Sequence, residues 1–261
     1  MRIVSLCPSL TELAFDLGRG GELVGITEYC VHPRDEVGAI EKVGGTKTPD
    51  VRRITALAPD WVLMNEEENR LEDAEALRAA GLRCHVSFPR DAAETAEMVR
   101  DLGAALDARC EGERIAQDIE RRAERVRAAA RGQRTVRFAY LIWRRPWMSV
   151  NRDTFAHALL AQAGGENVFA EREERYPEFR VEELARAAPD VVFLCTEPYA
   201  FDESHARELA AATGLPRERF VTADGEYLSW HGSRTPAGID YAESLIRAAR
   251  GAEAEPTRPA T

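Results

Sequence analysis

Side chains that could bind a small molecule follow the predicted strands of this 261-residue chain instead of forming one short motif. Trp and Tyr offer flat apolar faces with a hydrogen-bonding edge, and Arg can pair with carboxylates, amides or phosphates. The residues that we expect to contact a planar ligand are Ser9, Tyr29, Cys30, Glu66, Glu67, Trp143, Arg144, Trp147, Arg175, Tyr176, Glu197, Tyr199, Trp230, His231 and Arg234. The alternative is that some of these aromatic residues only pack over the edge of a domain.

Thiols and imidazoles allow two further chemistries. Soft thiolates together with imidazole could hold a metal ion, and the weak candidates are Cys7, Cys30, Cys195, His32 and His231. No two of these have the local spacing of a zinc site, and buried cysteine is a common core residue, so metal binding stays open. Cys30 with His231 could also form a catalytic pair, with the loop carboxylates as acid or base. No catalytic residue is assigned.

The strands that carry these loops alternate with helices, which predicts a mostly parallel sheet with helices on both faces. Residues 2–6, 23–27, 61–64, 84–87, 136–142, 191–195 and 220–222 have the apolar composition of buried strands. Ser9 and Glu12 have the spacing of a capping box at the start of the first helix.

An internal repeat indicates that this pattern occurs twice. Ala58-Pro59-Asp60 and the apolar run after it are matched by Ala188-Pro189-Asp190 and its run, at a constant offset of 130, since 189 − 59 and 190 − 60 agree. Each copy lies between a helix and a buried strand that ends in a polar loop. The repeat predicts two lobes of like topology, and ligands of open parallel sheets sit beyond the carboxyl ends of the strands.

Between the two copies, apolar residues recur at helical spacing from about residue 111 to 131. We therefore predict an α/β fold of two Rossmann-like lobes joined by a single long backbone helix, with a ligand cleft between the lobes. The predicted boundaries are 1–102 for the first lobe, 103–133 for the connecting helix, 134–250 for the second lobe and 251–261 for a disordered tail.

Composition limits the partners and the compartment. A net charge of −10 argues against binding nucleic acid, whose phosphates would be repelled. Five scattered cysteines without a CxxC pair fit a reducing compartment. The first residues contain no apolar export segment, and no later segment is long enough for membrane insertion. These features lead us to expect a cytoplasmic protein, or a periplasmic one if a signal peptide was removed.

Four stretches together resemble a known family. Residues 2–12 with Pro8-Ser9-Leu10-Thr11-Glu12, residues 24–27, Ala58-Pro59-Asp60 and residues 164–169 with Gly-Gly-Glu-Asn are similar to the vitamin B12-binding type of class III substrate-binding proteins. These helical-backbone metal receptors feed ABC importers. The resemblance spans about residues 1–250.

This resemblance implies a binding protein without chemistry, whose ligand is cobalamin or another corrinoid, haem or a ferric chelate. It places ligand contacts around Tyr29, Trp143 to Trp147, Tyr176 and Trp230, and it implies an ABC permease as partner through surface carboxylates at Glu72 and Glu203. The loops 65–69, 197–199 and 224–234 are more charged than a B12 cleft requires, which favours a cytoplasmic branch of the family. A cytoplasmic enzyme on the same scaffold is the alternative.

Overall fold

The protein contains two β-sheets, and each sheet lies in a separate compact unit. The computed structural model describes residues 1–252. The first unit comprises residues 1–89, 93–119 and 230–234, and the second comprises residues 90–92, 120–229 and 235–252. The α/β architecture predicted from the sequence is confirmed.

The first unit is built on a four-stranded parallel sheet in the order β2-β1-β3-β4. Its strands are β1 (Ile3–Ser5), β2 (Leu23–Ile26), β3 (Trp61–Asn65) and β4 (Cys84–Ser87). Its helices are α1 (Pro8–Asp16), α2 (Val51–Ala56), α3 (Leu71–Ala79), α4 (Ala92–Ala105) and the first part of α5 (Arg109–Ala130). On one side of the sheet, the apolar side chains of β1 and β3 pack against α2 and α3 in a buried cluster that includes Val4, Val62, Ile54 and Leu77.

The second unit repeats this order with β7-β5-β8-β9, in which all neighbouring strands are parallel, and adds β6 antiparallel to the end of β5. Its strands are β5 (Val136–Trp143), β6 (Met148–Ser149), β7 (Gly165–Asn167), β8 (Val191–Cys195) and β9 (Phe220–Ala223). Its helices are the rest of α5, α6 (Phe155–Gln162), α7 (Val181–Ala187), α8 (Glu203–Thr213), α9 (Gly225–Ser229) and α10 (Thr235–Ala252).

The repeated Ala-Pro-Asp turns have the same geometry in both units. Ala58 and Ala188 have φ values of 45° and 42°, in the left-handed region that L-residues rarely adopt. Asp60 Oδ2 accepts the backbone N–H of Arg2 at 2.7 Å, and Asp190 Oδ2 accepts that of Arg137 at 2.8 Å. Asp60 thereby links the start of β3 to the start of β1, and Asp190 links the start of β8 to the start of β5. The prediction of two units of like topology is confirmed.

The long helix predicted over about 111–131 is present as α5, but the predicted connecting segment 103–133 is not a single helix. Instead of one helix over 103–133, α4 ends at Ala105 and α5 begins at Arg109, with Asp107 at φ 55° between them. The two helices approach closely at Gly103 and Gly112: a Cβ on Gly112 would lie 3.0 Å from Val99 O and 3.2 Å from Gly103 Cα. Residues of α5 up to Ile119 pack with the first unit, and those from Glu120 pack with the second.

Three other expectations need correction. Cys7, not Ser9, is the N-cap of α1, because Pro8 occupies the first helical position and Ser9 lies inside the helix. Residues 225–229, expected to be loop, form α9. Residues 251–252 belong to α10, and the rest of the predicted disordered tail lies outside the described residues. No helix among residues 1–252 is long and apolar enough to cross a membrane.

Candidate functional site

In the first unit, buried amides fix the loop that follows β3. Asn65 Nδ2 donates to Ser87 O at 2.9 Å, and its Oδ1 accepts the backbone N–H of Glu67 at 2.9 Å. Asn69 Oδ1 accepts the N–H of Asn65 at 2.9 Å, while its Nδ2 donates to Leu6 O at 2.9 Å. Because both asparagines are buried and fully engaged, the backbone under the predicted ligand residues Glu66 and Glu67 is held in one conformation.

Two thiols of the first unit, those of Cys7 and Cys30, are buried beside hydroxyl groups. Cys30 Sγ lies 3.0 Å from Thr11 Oγ1 and 3.1 Å from Thr27 Oγ1, and Cys7 Sγ lies 3.3 Å from Ser9 Oγ. Burial raises the pKa of Cys7 to about 12 and also raises the pKa of Cys30. Both therefore remain protonated thiols at neutral pH, which disfavours Cys30 as a nucleophile. Ser9 and Cys30, which were predicted to contact ligand, are buried.

The metal candidates do not form a ligand cluster. Among residues 1–252, no group of three or more His, Cys, Asp or Glu side chains has an arrangement that could hold a metal ion. Cys195 belongs to the second unit, where burial raises its pKa to about 12. His32 instead packs its ring edge to face with Trp230, with ring centroids 5.5 Å apart. The geometry gives no support to metal binding by these side chains.

The segment 230–234 packs with the first unit, although its flanking residues pack with the second. Trp230 and His231 are each only 6% exposed. His231 Nε2 lies 3.3 Å from Asn65 Nδ2, and Arg234 lies over the Trp230 ring at 5.0 Å. Arg234 also forms a two-pronged ion pair with Glu12, at 2.8 and 2.6 Å. Three predicted ligand residues are thus engaged with neighbouring side chains of the same unit.

The exposed aromatic residue of the first unit is Tyr29, which follows β2 and is 60% exposed. Its ring passes over Gly45, where a Cβ would lie 3.3 Å from Tyr29 Cε2. A large apolar ring held open to solvent over glycine is a surface on which a flat ligand can stack.

In the second unit, rings from two strand-end loops form a connected cluster. Tyr199 contacts Trp143 edge to face at 5.5 Å and Phe201 at 4.7 Å, and Trp147 stacks on Phe201 at 6.1 Å. The Tyr199 hydroxyl lies 3.1 Å from His205 Nε2. Because β5 and β8 are parallel neighbours, the loops that follow them meet at one edge of the sheet, as predicted.

Two members of this aromatic cluster were not predicted. Phe201 could have been found, because it lies in the same strand-end loop as Tyr199. His205 lies on α8, three residues beyond the N-cap Asp202. Nothing in the sequence pattern indicates that His205 on α8 contacts Tyr199 and Phe201 in the preceding loop.

Arginines around the cluster are paired with carboxylates. Arg144 Nη2 donates to both Glu208 oxygens at 2.9 and 2.7 Å, and this hydrogen bonding raises the pKa of Arg144. Arg175 Nη1 donates to Asp153 at 2.8 Å. Next to it, Tyr176 is 38% exposed, and Trp143 is 41% exposed. These two rings are open to solvent, whereas Arg144 and Arg175 already have intramolecular partners.

Glu197 lies against the start of α9. A Cβ on Gly225 would come within 2.7 Å of both the N and the O of Glu197, so only glycine permits this approach. Gly225 N–H donates to Thr196 Oγ1 at 3.0 Å. The loops after β8 and β9 therefore form one packed edge in the second unit, and they carry the predicted residues Glu197 and Tyr199.

A cavity lies elsewhere in the second unit. It has a volume of about 400 Å³ and is lined by residues of α5, α6 and α10, among them Ala130, Ala163, Arg247 and Arg250. None of the predicted ligand residues lines it. It adjoins the carboxyl ends of these helices, where the Arg250 guanidinium donates to Arg134 O at 2.8 Å and Ala163 O at 3.3 Å.

The fold and the strand-end chemistry together define a class, that of two-unit α/β proteins that bind small molecules. The chain belongs to the periplasmic binding protein family, whose sequence profile matches residues 3–208. A vitamin B12-binding protein of Vibrio parahaemolyticus is 28% identical over 192 residues, which are 74% of this chain and 70% of that protein. One from Vibrio cholerae is 26% identical over 204 residues, 78% of this chain and 73% of that protein.

Solved structures agree with this assignment. The periplasmic vitamin B12 binding protein BtuF of Vibrio cholerae matches with a TM-score of 0.82 at 22% identity, covering 95% of this chain and 97% of that one. That likeness shows the fold. The periplasmic heme-binding protein RhuT from Roseiflexus sp. RS-1, in its apo form, matches with a TM-score of 0.82 at 25% identity, covering 96% of this chain and 98% of that one.

Proposed function

We propose that this protein binds a flat, metal-containing ligand, either a corrinoid such as cobalamin, or haem, or a ferric chelate. The observation that carries the proposal is the set of exposed rings at strand-end loops, Tyr29 in the first unit and Trp143 and Tyr176 in the second. The names of the relatives, which bind vitamin B12 or haem, support the same ligand class. The raised pKa values of the buried thiols give no support to the enzymatic alternative.

Titration of the purified protein with cobalamin, haem and a ferric siderophore tests this proposal. We expect saturable binding of at least one, seen as quenching of tryptophan fluorescence and a change in the ligand's absorption spectrum. Absence of saturable binding for all three would contradict the proposal.

Variants in each unit test whether the loops of that unit contact the ligand. Tyr29→Ala and Trp143→Ala should each weaken binding, because each removes a stacking surface. Trp61→Ala is the matched control: Trp61 is at the amino end of β3, where Arg83 lies 4.0 Å from its ring, so binding should be unchanged. A loss of affinity in only one of the two loop variants would restrict the site to a single unit.

We also propose that the protein delivers its ligand to an ABC permease through Glu72, which is exposed in the first turn of α3. Glu203, the other predicted contact, starts α8 but pairs with Arg207 and Arg217, so a permease arginine would have to compete with both. Glu72→Arg should abolish stimulation of a reconstituted importer's ATPase without changing ligand affinity. An unchanged ATPase response would reject this docking role.

The cytoplasmic location stays a prediction. The relatives are described as periplasmic, which favours the periplasmic alternative. Cell fractionation of the native host, with the protein detected by antibody, decides between the two.

A further inference from the structure

We propose that Arg145 recognises a carboxylate on the bound ligand, so that the ligand is an anionic flat molecule such as haem with its propionates, and not a corrinoid with amide side chains. The inference rests on the proposed function and names the ligand class within it. It comes from the backbone and the surroundings of the four-residue turn 144–147, which joins β5 to β6 beside the aromatic cluster.

The backbone at Arg145 is strained. Its φ is +69°, in the left-handed region, where glycine, asparagine and aspartate are the ordinary residues. Such conformations persist only where the surroundings impose them, and they concentrate at ligand-binding sites. We therefore infer that neighbouring residues hold the backbone of Arg145 in this conformation.

The neighbours of Arg145 supply the constraint that holds the turn. On one side, Trp143 contacts Tyr199 at 5.5 Å and Arg144 pairs with both oxygens of Glu208. On the other side, Trp147 stacks on Phe201, with ring planes only 8° apart. With both flanks anchored, the Arg145 side chain projects from a fixed turn and not from a loose loop.

The charge of Arg145 is not compensated within the described structure. Arg144 is committed to Glu208 and lies 5.7 Å from the Trp147 ring. Arg145 is exposed, and within residues 1–252 no ion pair or hydrogen bond involves its side chain.

Carboxylate is the chemistry that fits this arrangement. The planar guanidinium donates two parallel hydrogen bonds to a carboxylate, a match that a neutral amide cannot reproduce. Trp143, two residues away and 41% exposed, offers a face on which the flat part of the same ligand can stack. A flat ligand could therefore stack its ring on Trp143 while its carboxylate pairs with Arg145.

Haem and haem dimethyl ester, which lacks the carboxylate charges, test this inference directly. The wild-type protein should bind haem about tenfold more tightly than the ester, the factor expected for one charge-assisted hydrogen-bonded pair. Arg145→Asn removes the charge but tolerates the left-handed backbone, so it should bind both forms with the affinity of the ester. Arg145→Lys keeps the charge but not the two parallel hydrogen bonds, so it should retain only part of the preference for haem.

Arg131→Asn is the matched control. Arg131 is also strongly exposed, but it precedes the amino end of β5, whereas Arg145 follows its carboxyl end. The first and last residues of that eight-residue strand are about 23 Å apart. This variant should keep the wild-type preference, and all variants should share the wild-type melting temperature.

The outcomes separate the two proposals. Equal wild-type affinity for haem and its ester, an equal loss of both ligands in Arg145→Asn, or binding of cobalamin alone would overturn the role of Arg145 while leaving a binding protein for flat ligands. If the wild type binds neither haem, ester, cobalamin nor a ferric siderophore, the proposed function itself fails, and this inference fails with it.

Discussion

Arg234 and Glu12, 222 positions apart in the sequence, form a two-pronged ion pair within the first unit, with N···O distances of 2.8 and 2.6 Å. The side chains are 14% and 19% exposed. Because charges with little access to water must be paired, this contact fixes the segment 230–234 against α1.

We expect a double-mutant cycle of Glu12→Ala and Arg234→Ala to give a coupling energy of about 2 kcal/mol, since a largely buried pair with two charge-assisted hydrogen bonds is lost. Urea denaturation of the four proteins measures it. Arg152 and Glu171, which are 66% and 79% exposed, provide the control pair, with an expected coupling of about 0.5 kcal/mol. Equal coupling for the two pairs would show that the Arg234 pair is as weak as a surface one.

Trp230 and Trp143 should respond differently to truncation. Trp230→Ala should lower the free energy of unfolding by about 3 kcal/mol, because it empties a buried site between His32 and Arg234. Trp143→Ala, at a half-exposed ring, should cost less than about 1 kcal/mol. Denaturant titrations monitored by circular dichroism compare the two. A stable Trp230→Ala protein with impaired ligand binding would instead make Trp230 a ligand contact.

Thiol reactivity should separate the exposed cysteine from the three buried ones. Cys110 is exposed and should react rapidly with iodoacetamide at pH 8, whereas Cys7, Cys30 and Cys195 are buried and should react only after unfolding. Mass spectrometry of the digested protein identifies each labelled thiol. Rapid labelling of Cys30 would favour the enzymatic alternative, in which a thiolate acts as nucleophile.

The buried thiols contribute to the pH dependence of stability. Burial raises the pKa of Cys7 and Cys195 to about 12 from 9.0, so below pH 9 both the folded and unfolded chains hold the protons. Between pH 9 and 12 the unfolded chain loses them first, and the free energy of unfolding should fall as pH rises. Urea midpoints at pH 8, 9 and 10 check this, and Cys7→Ala should reduce the slope. A slope that is unchanged in Cys7→Ala would contradict the assignment.

Adding a methyl group at the close contact between α4 and α5 should lower the free energy of unfolding. Gly112→Ala gains about 1 kcal/mol in helix propensity but places a Cβ 3.0 Å from Val99 O, so we expect a net loss of about 1–2 kcal/mol. Thermal and urea denaturation measure the change. Gly38→Ala, where no atom lies within 4 Å of the added Cβ, should be nearly neutral. Stabilisation by Gly112→Ala would mean that the helices can separate at no cost.

The sequence by itself determined the two-unit α/β fold, because strand and helix periodicity and the Ala-Pro-Asp repeat are local signals. Asp60 and Asp190 illustrate this: each makes the same hydrogen bond within its own sheet, as the constant offset of 130 predicts. The sequence also placed Trp143 and Tyr199 at neighbouring strand ends, since parallel pairing brings such ends together.

Only the tertiary structure decided which polar and aromatic residues are available to a ligand. Trp230, His231 and Arg234 look like a binding loop in sequence, yet they are engaged with His32, Asn65 and Glu12 from distant parts of the chain. Arg144 and Arg145 are adjacent and chemically identical, but one is paired with Glu208 and the other is exposed in a left-handed turn. Burial and pairing depend on long-range packing, which no local pattern encodes.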